Sequence, residues 1–175
     1  VPQAGISYGT GTLELGDTAN MVIESTVDTA TVNRLYDILA IKGITGTRSE
    51  NVTGGGMNIL VGTKGSGGFV ENWFNENRSY DEALFDKLDS YVLSVKDNVI
   101  AVLGKDTDAA FYGLSTLKLI FEQTADSTVR ALQIEDYADG QYRGFIEGFY
   151  GIPWTVEDRI SLMEFGGDFK MNIYI

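Results

Sequence analysis

Residues 143–154, RGFIEGFYGIPW, constrain the fold more than any other stretch of this chain. The segment begins as a buried strand, with Phe145 and Ile146 among few polar neighbours. It then becomes hard to build as regular structure. Gly148 and Gly151 bracket Phe149 and Tyr150, and Pro153-Trp154 follow. Glycine permits positive φ and close approach of another group to the backbone. Proline beside charged, periodic sequence suits a helix entry. A strand ending in glycine, aromatics and proline and then turning into a helix is the layout of one βα unit of an α/β barrel, where chemistry sits at the C-terminal strand ends. The alternative is an ordinary core strand closed by a glycine turn.

Upstream, residues 5–25 are rich in Gly and Thr and contain two expected strands, 12–15 and 20–23. From Asp28 the period changes. Val32, Leu35, Tyr36 and Leu39 mark one helical face, with Asp28 as N-cap and Lys42-Gly43 as the end. Residues 57–61 (MNILV) read as a buried strand between glycine-rich loops. The loop at 62–68 contains Lys64 but lacks the G-x-x-x-x-G-K-[ST] spacing and no clear helix follows, so it reads as a surface loop rather than a nucleotide site. Residues 69–77 are polar with Phe69, Trp73 and Phe74. Ser79 to Glu82 has the S-x-x-E form of a capping box before a short helix.

Residues 91–95 and 99–103 form an expected hairpin around Lys96-Asp97-Asn98. A second long helix starts at 105–108. Its face is Ala110, Leu114, Leu117 and Phe121, and Gly113 inside it costs about 1 kcal/mol relative to alanine unless it permits close packing. Residues 130–135 alternate as a last strand, and 136–140 (DYADG) read as a linker. The expected fold class is α+β: a mostly antiparallel or mixed sheet over residues 1–140 with two helices packed on one face. Residues 141–175 follow as one β-α-β piece: a strand at 142–147, a helix near 155–165 and a strand at 171–175. A closed (β/α)8 barrel needs about 250 residues, so this reads as the start of a barrel that is otherwise missing.

The residues 143–160, RGFIEGFYGIPWTVEDRI, followed by KMNIYI, resemble the opening of the catalytic barrel of glycoside hydrolase family 84. KDTDAAFYGLSTLKLIF and ALQIEDYADGQYRG resemble the small α/β domain that precedes the barrel in that family and in family 20 hexosaminidases. The resemblance spans roughly residues 91–175. It implies a retaining, substrate-assisted β-N-acetylglucosaminidase, in which the acetamido oxygen of the sugar attacks. One carboxylate orients that amide while another is the general acid and base. The family uses two adjacent aspartates, and no Asp-Asp pair occurs here. The resemblance places the pair beyond Ile175, so the fragment alone is expected to be inactive. It places Gly148 and Tyr150 at the sugar, with Phe149 and Trp154 as pocket support, and needs no cofactor. Its partners are GlcNAc-containing glycans and the remainder of the barrel. The setting it implies is secreted and bacterial.

Composition sets exclusions. The chain has no His and no Cys, which removes Ser-His-Asp catalysis, disulfides and ordinary zinc sites. Its net charge of −12 argues against nucleic acid and anionic membranes. The start, Val1-Pro2-Gln3, shows no signal peptide, and no apolar run is long enough for a membrane span. Calcium bound by the acidic first domain is the weaker alternative to a solvated acidic surface.

Arg143 and Glu147 are the tempting charged pair, best read as a structural salt bridge, or a polar layer inside the barrel, rather than as catalytic. Glu157 and Asp158 suit a helix N-terminus, and Glu135 and Asp136 suit an interdomain contact. The competing reading is a non-catalytic carbohydrate-binding or structural module. Trp73-Phe74 would be its aromatic platform.

Overall fold

The computed structural model describes residues 2–148 and 150–175. The chain opens with two strands, β1 (Gly5–Glu14) and β2 (Thr18–Ile23), then helix α1 (Thr29–Ile41), β3 (Thr45–Arg48) and β4 (Met57–Thr63). Helix α2 (Phe69–Asn77) and a 3-10 turn (Glu82–Asp86) lead to the hairpin β5 (Leu88–Lys96) and β6 (Val99–Gly104). Helix α3 (Thr107–Gln123) and β7 (Thr128–Ala138) complete a seven-stranded sheet of order β1-β7-β5-β6-β4-β2-β3. The last segment is β8 (Gly144–Phe145), α4 (Val156–Asp168) and β9 (Ile173–Tyr174), with β8 and β9 parallel.

The sheet is mixed. β3, β2, β4 and β6 run parallel, and β5, β7 and β1 are antiparallel. Parallel central strands are buried on both faces and therefore carry continuous apolar runs. All seven residues of β4 and all six of β6 are buried. Helices α1 and α3 lie together on one face, where Leu35, Ile38, Leu39, Leu114, Leu117 and Phe121 meet Met21, Ile59, Leu93 and Val102. Each such side chain contributes about 1.5–3 kcal/mol of hydrophobic stabilisation. This is the expected α+β architecture.

The opposite face is also covered. Val70, Phe74, Leu84 and Phe85 of α2 and the 3-10 turn pack on Leu60, Val92 and Leu103.

Several local expectations change. β1 begins at Gly5, not residue 12, because it is an edge strand paired only to β7. Only Leu13 of its side chains is buried, so it shows no apolar alternation. In α1 the buried stripe is Thr31, Leu35, Ile38 and Leu39, and Tyr36 is exposed. Asp28 caps it as expected, accepting a hydrogen bond from the Thr31 backbone N–H. β3 (TGTR) has no apolar residue and gave no signal.

A helix does follow the glycine loop. α2 has no side-chain cap of its own; Glu24, 46 residues upstream, accepts from the Val70 N–H at 2.9 Å and the Glu71 N–H at 3.1 Å. Glu71 in turn accepts from the Gly65 and Gly67 N–H groups. Ser79 caps nothing in the expected box; Asp81 caps the 3-10 turn through the Ala83 N–H. Finally, Asp136 to Ala138 belong to β7 rather than to a linker, because Asp136 is buried and bonded to Tyr91 of the neighbouring β5.

Gly113 has the packing role anticipated for it. A Cβ there would meet Val102 Cγ1 at 2.6 Å and the Tyr91 ring at 3.1 Å. The β5–β6 turn likewise carries its positive φ at Asp97 (+56°).

Candidate functional site at the C-terminal end of β8 and β9

Gly144 and Phe145 pair in register with Ile173 and Tyr174. The ladder extends one step further through the Glu147 N–H to the Ile175 carbonyl, at 2.7 Å. The C-terminal ends of both strands therefore converge at Glu147, Gly148 and Ile175. Helix α4 connects them and starts from a full capping box. Thr155 Oγ1 accepts from the Asp158 N–H at 3.1 Å, and the Asp158 carboxylate accepts from the Thr155 N–H at 3.1 Å. Asp158 is thus structural, as its helix-start position implies, and Glu157 lies in the same first turn.

Gly148 and Tyr150 are brought together. A Cβ on Gly148 would sit 3.2 Å from Tyr150 Cδ2, and the Tyr150 side chain is fully exposed. Trp154 is half-exposed, and its N–H reaches Glu147 Oε1 at 3.4 Å. Phe149 lies outside the described residues.

Glu147 directly precedes Gly148, and it is buried. It accepts from Arg159 Nε at 2.7 Å and Arg159 Nη2 at 2.9 Å, and from the Tyr174 hydroxyl. The Arg159 hydrogen bonds first, and that of Tyr174 next, pull its carboxyl down to about 2. The Arg159 guanidinium is held charged by the same contact, and the Tyr174 phenol is raised chiefly because it donates to Glu147. A carboxylate with four donors and so low a pKa is a fixed anion, unsuited to general acid catalysis.

The expected Arg143–Glu147 bridge does not form. Arg143 turns the other way: Nη2 pairs with Asp89 at 2.7 Å, and Nη1 and Nε donate to the Gly140 and Lys170 carbonyls. Its guanidinium carbon lies 5.3 Å from the Tyr112 ring centre. Spacing could not reveal this, because Arg159 is 12 residues from Glu147 and Asp89 is 54 from Arg143.

The other end of the β-α-β segment is tied to the sheet. Asp168, at the end of α4, meets both Arg34 of α1 and Lys118 of α3. Burial pushes its carboxyl up, but the hydrogen bonds from Lys118 and Arg34 outweigh that and hold it below its usual value. Lys170 follows with φ +60°. The Lys170 N–H donates to the Gly167 carbonyl at 3.2 Å, and the Met171 N–H donates to the Gly166 carbonyl at 2.9 Å. This is a Schellman ending with lysine where glycine is usual. The Lys170 ammonium reaches Asp136 Oδ2 at 2.6 Å and the Tyr91 hydroxyl at 2.7 Å. Tyr91 also meets Thr116 Oγ1 at 2.6 Å and donates to Asp136 Oδ2 at 3.0 Å. Burial, then the charge of Asp136, raises the Tyr91 phenol well above its usual value. The Asp136 contact across the two parts matches the expectation from sequence.

Trp73 and Phe74 do not form an exposed platform. Phe74 is fully buried, and Arg78 lies 4.5 Å from the centre of the Trp73 ring. Among the described residues, no group of three or more acidic side chains is placed to hold a metal ion, and no helix is long and apolar enough to cross a membrane.

Residues 2–137 match the family described as glycosyl hydrolase family 20, domain 2, and residues 143–175 match the family described as beta-N-acetylglucosaminidase. Among solved structures, CpGH84D is 50% identical, with a TM-score of 0.96 over 99% of this chain and 29% of that one. CpGH84B is 26% identical, with a TM-score of 0.78 over 99% of this chain and 28% of that one. The beta-N-acetylhexosaminidase from Bacteroides fragilis NCTC 9343 shares the fold, with a TM-score of 0.71 at 14% identity, over 99% of this chain and 31% of that one. The chain thus spans less than a third of the length of these structures. With the family 20 domain across most of its length and a family 84 structure matching nearly all of it, the chain belongs to the family 20 and 84 hexosaminidase group of glycoside hydrolases.

Proposed function

We propose that residues 1–140 brace, and residues 141–175 begin, the catalytic barrel of a retaining, substrate-assisted β-N-acetylglucosaminidase that removes terminal GlcNAc from glycans or glycoproteins. In this reading the chain supplies one wall of the sugar pocket and none of the catalytic carboxylates. Gly148 offers its backbone to the sugar hydroxyls, Tyr150 lines the wall, and Phe149 and Trp154 support it. A secreted, bacterial setting belongs to the same reading. The observation that carries it is the occupied state of Glu147. The carboxylate next to Gly148 is held by Arg159 and Tyr174, which supports a reading in which the acid and base come from elsewhere. That fits an aspartate pair contributed beyond Ile175. The position of the wall at the C-terminal ends of two parallel strands also supports it, since barrel chemistry sits there. The exposed apolar residues Ile146, Ile152, Ile160 and Met163 are consistent with further barrel strands and helices packing on this segment.

The test is hydrolysis of an aryl β-N-acetylglucosaminide by this chain and by the same chain extended by about 300 residues, enough for a complete barrel. The expected result is turnover only in the extended form, reduced by Tyr150→Ala. Turnover by the short chain would place the catalytic carboxylates within residues 1–175 and overturn the assignment. Absence of turnover in both would favour a non-catalytic role.

A further inference from the structure

The glycine loop after β4 leads into α2, and the loop after β2 leads into α1. These helices lie on opposite faces of the sheet, and the chain returns from them on opposite sides of the β2–β4 pair. The order therefore reverses between β2 and β4, and in open α/β sheets such a switch point leaves a crevice outside the carboxyl ends of the strands where ligands bind. A crevice of about 510 Å³ lies at that place, within the range of ligand sites.

Its floor is rigid. Glu24 accepts from the Thr63, Val70 and Glu71 N–H groups. Gly62 and Gly68 pack so closely on it that a Cβ at either would lie 2.6 or 2.8 Å from the Glu24 carboxyl carbon. Because a carboxylate of the chain itself fills the N-terminus of α2, a phosphate has no place there. The groups left facing the crevice are of mixed kind. Arg48 donates only to the Ile23 carbonyl, at 3.3 Å, and has no carboxylate within ion-pair distance among the described residues. Glu50, Ser25 and Ser49 line the crevice beside it, and Phe69 at its edge is 38% exposed.

We propose that this crevice is a second, non-catalytic saccharide site that takes a neutral, hydroxyl-rich sugar ring. A planar donor (Arg48), a planar acceptor (Glu50) and the Ser25 hydroxyl match the alternating donors and acceptors of vicinal diols, while Ser49 Oγ donates to the Asn51 carbonyl and accepts from the Asn51 N–H and so shapes the rim. Phe69 offers a face to the apolar side of the ring. The net charge of −12 selects against anionic sugars. The site goes beyond the barrel reading and stands independently of it. It is distant in sequence from residues 148–154 and uses none of them. It lies toward the same end of the strands as the Tyr91 and Asp136 contacts to Lys170, since Thr63, Gly104, Tyr91 and Asp136 form one row across the strands.

The test is an amide-shift NMR titration of the 175-residue chain with N-acetyllactosamine, with glucuronate as the anionic comparison. The expected result is shifts at residues 22–26, 48–50 and 66–69, with a Kd on the order of 1 mM. Arg48→Ala and Phe69→Ala should each weaken binding by about 5-fold or more and leave the rest of the spectrum in place. Three results would overturn the proposal: no shifts at saturating sugar, shifts that survive both substitutions, or a stronger response to glucuronate. Shifts confined to residues 148–154 would also overturn it while supporting the barrel pocket. Turnover by the extended chain with no binding at the crevice would remove this site and leave the proposed function standing.

Discussion

Replacing Asp136 by alanine isolates what holds the β-α-β segment to the sheet. Asp136 is 5% exposed, and its carboxylate serves three donors: Lys170 Nζ at 2.6 Å, the Gln3 N–H at 2.7 Å and the Tyr91 hydroxyl at 3.0 Å. Breaking a fully buried ion pair by removing one partner costs about 3–5 kcal/mol. Two features reduce that here. The Lys170 side chain is 27% exposed and can recover water, and Tyr91 keeps Thr116 at 2.6 Å. The expected loss is about 2–4 kcal/mol, or roughly 5–15 °C in Tm for a chain of this size. Lys170→Met keeps the aliphatic stem and removes only the ammonium. In a double-mutant cycle by urea unfolding, the two changes should couple by about 1–3 kcal/mol. Hydrogen exchange should at the same time quicken at residues 171–175 more than in β4. A loss below about 0.5 kcal/mol for Asp136→Ala, or coupling near zero, would refute the reasoning, since it would mean that water replaces these contacts without cost.

Two further predictions concern single sites. The Glu147 carboxyl, with its pKa depressed to about 2, contributes stability that is fully present above its unfolded value near 4.5 and is lost as pH falls toward 2. Its carboxyl carbon should therefore titrate near 2 by NMR, and a midpoint above 4 would remove the Arg159 and Tyr174 bonds from the account. Gly113→Ala gains about 1 kcal/mol of helix propensity but drives a methyl against Val102 and Tyr91. The clash should prevail, with a net loss of about 1–2 kcal/mol by urea unfolding; a more stable variant would show that Val102 can give way.

The sequence by itself determined the elements whose signal is local. The N-cap of α1, the start of α3, the stripe Ala110–Leu114–Leu117–Phe121, the two-residue turn at Asp97 and the buried runs of β4 and β6 depend on neighbours within one or two turns of chain. The α+β class came from these elements. The segment RGFIEGFYGIPW carried its strand-then-helix order in its own residues, but not the strand's extent or burial: β8 is only Gly144–Phe145, and Ile146 is exposed rather than buried. Tertiary structure decided whatever depends on partners far away. α2 exists because Glu24 caps it from another loop, so its own residues give little sign of it. β3 and the first half of β1 are edge strands whose backbone finds a ladder while their side chains remain in solvent, and no hydrophobic period marks them. The fate of charges was decided in the same way. Arg143 and Glu147 stand four residues apart, yet each is bound to a group that only the folded chain brings near, because a buried charge takes the partner that replaces its lost water best rather than the nearest in sequence.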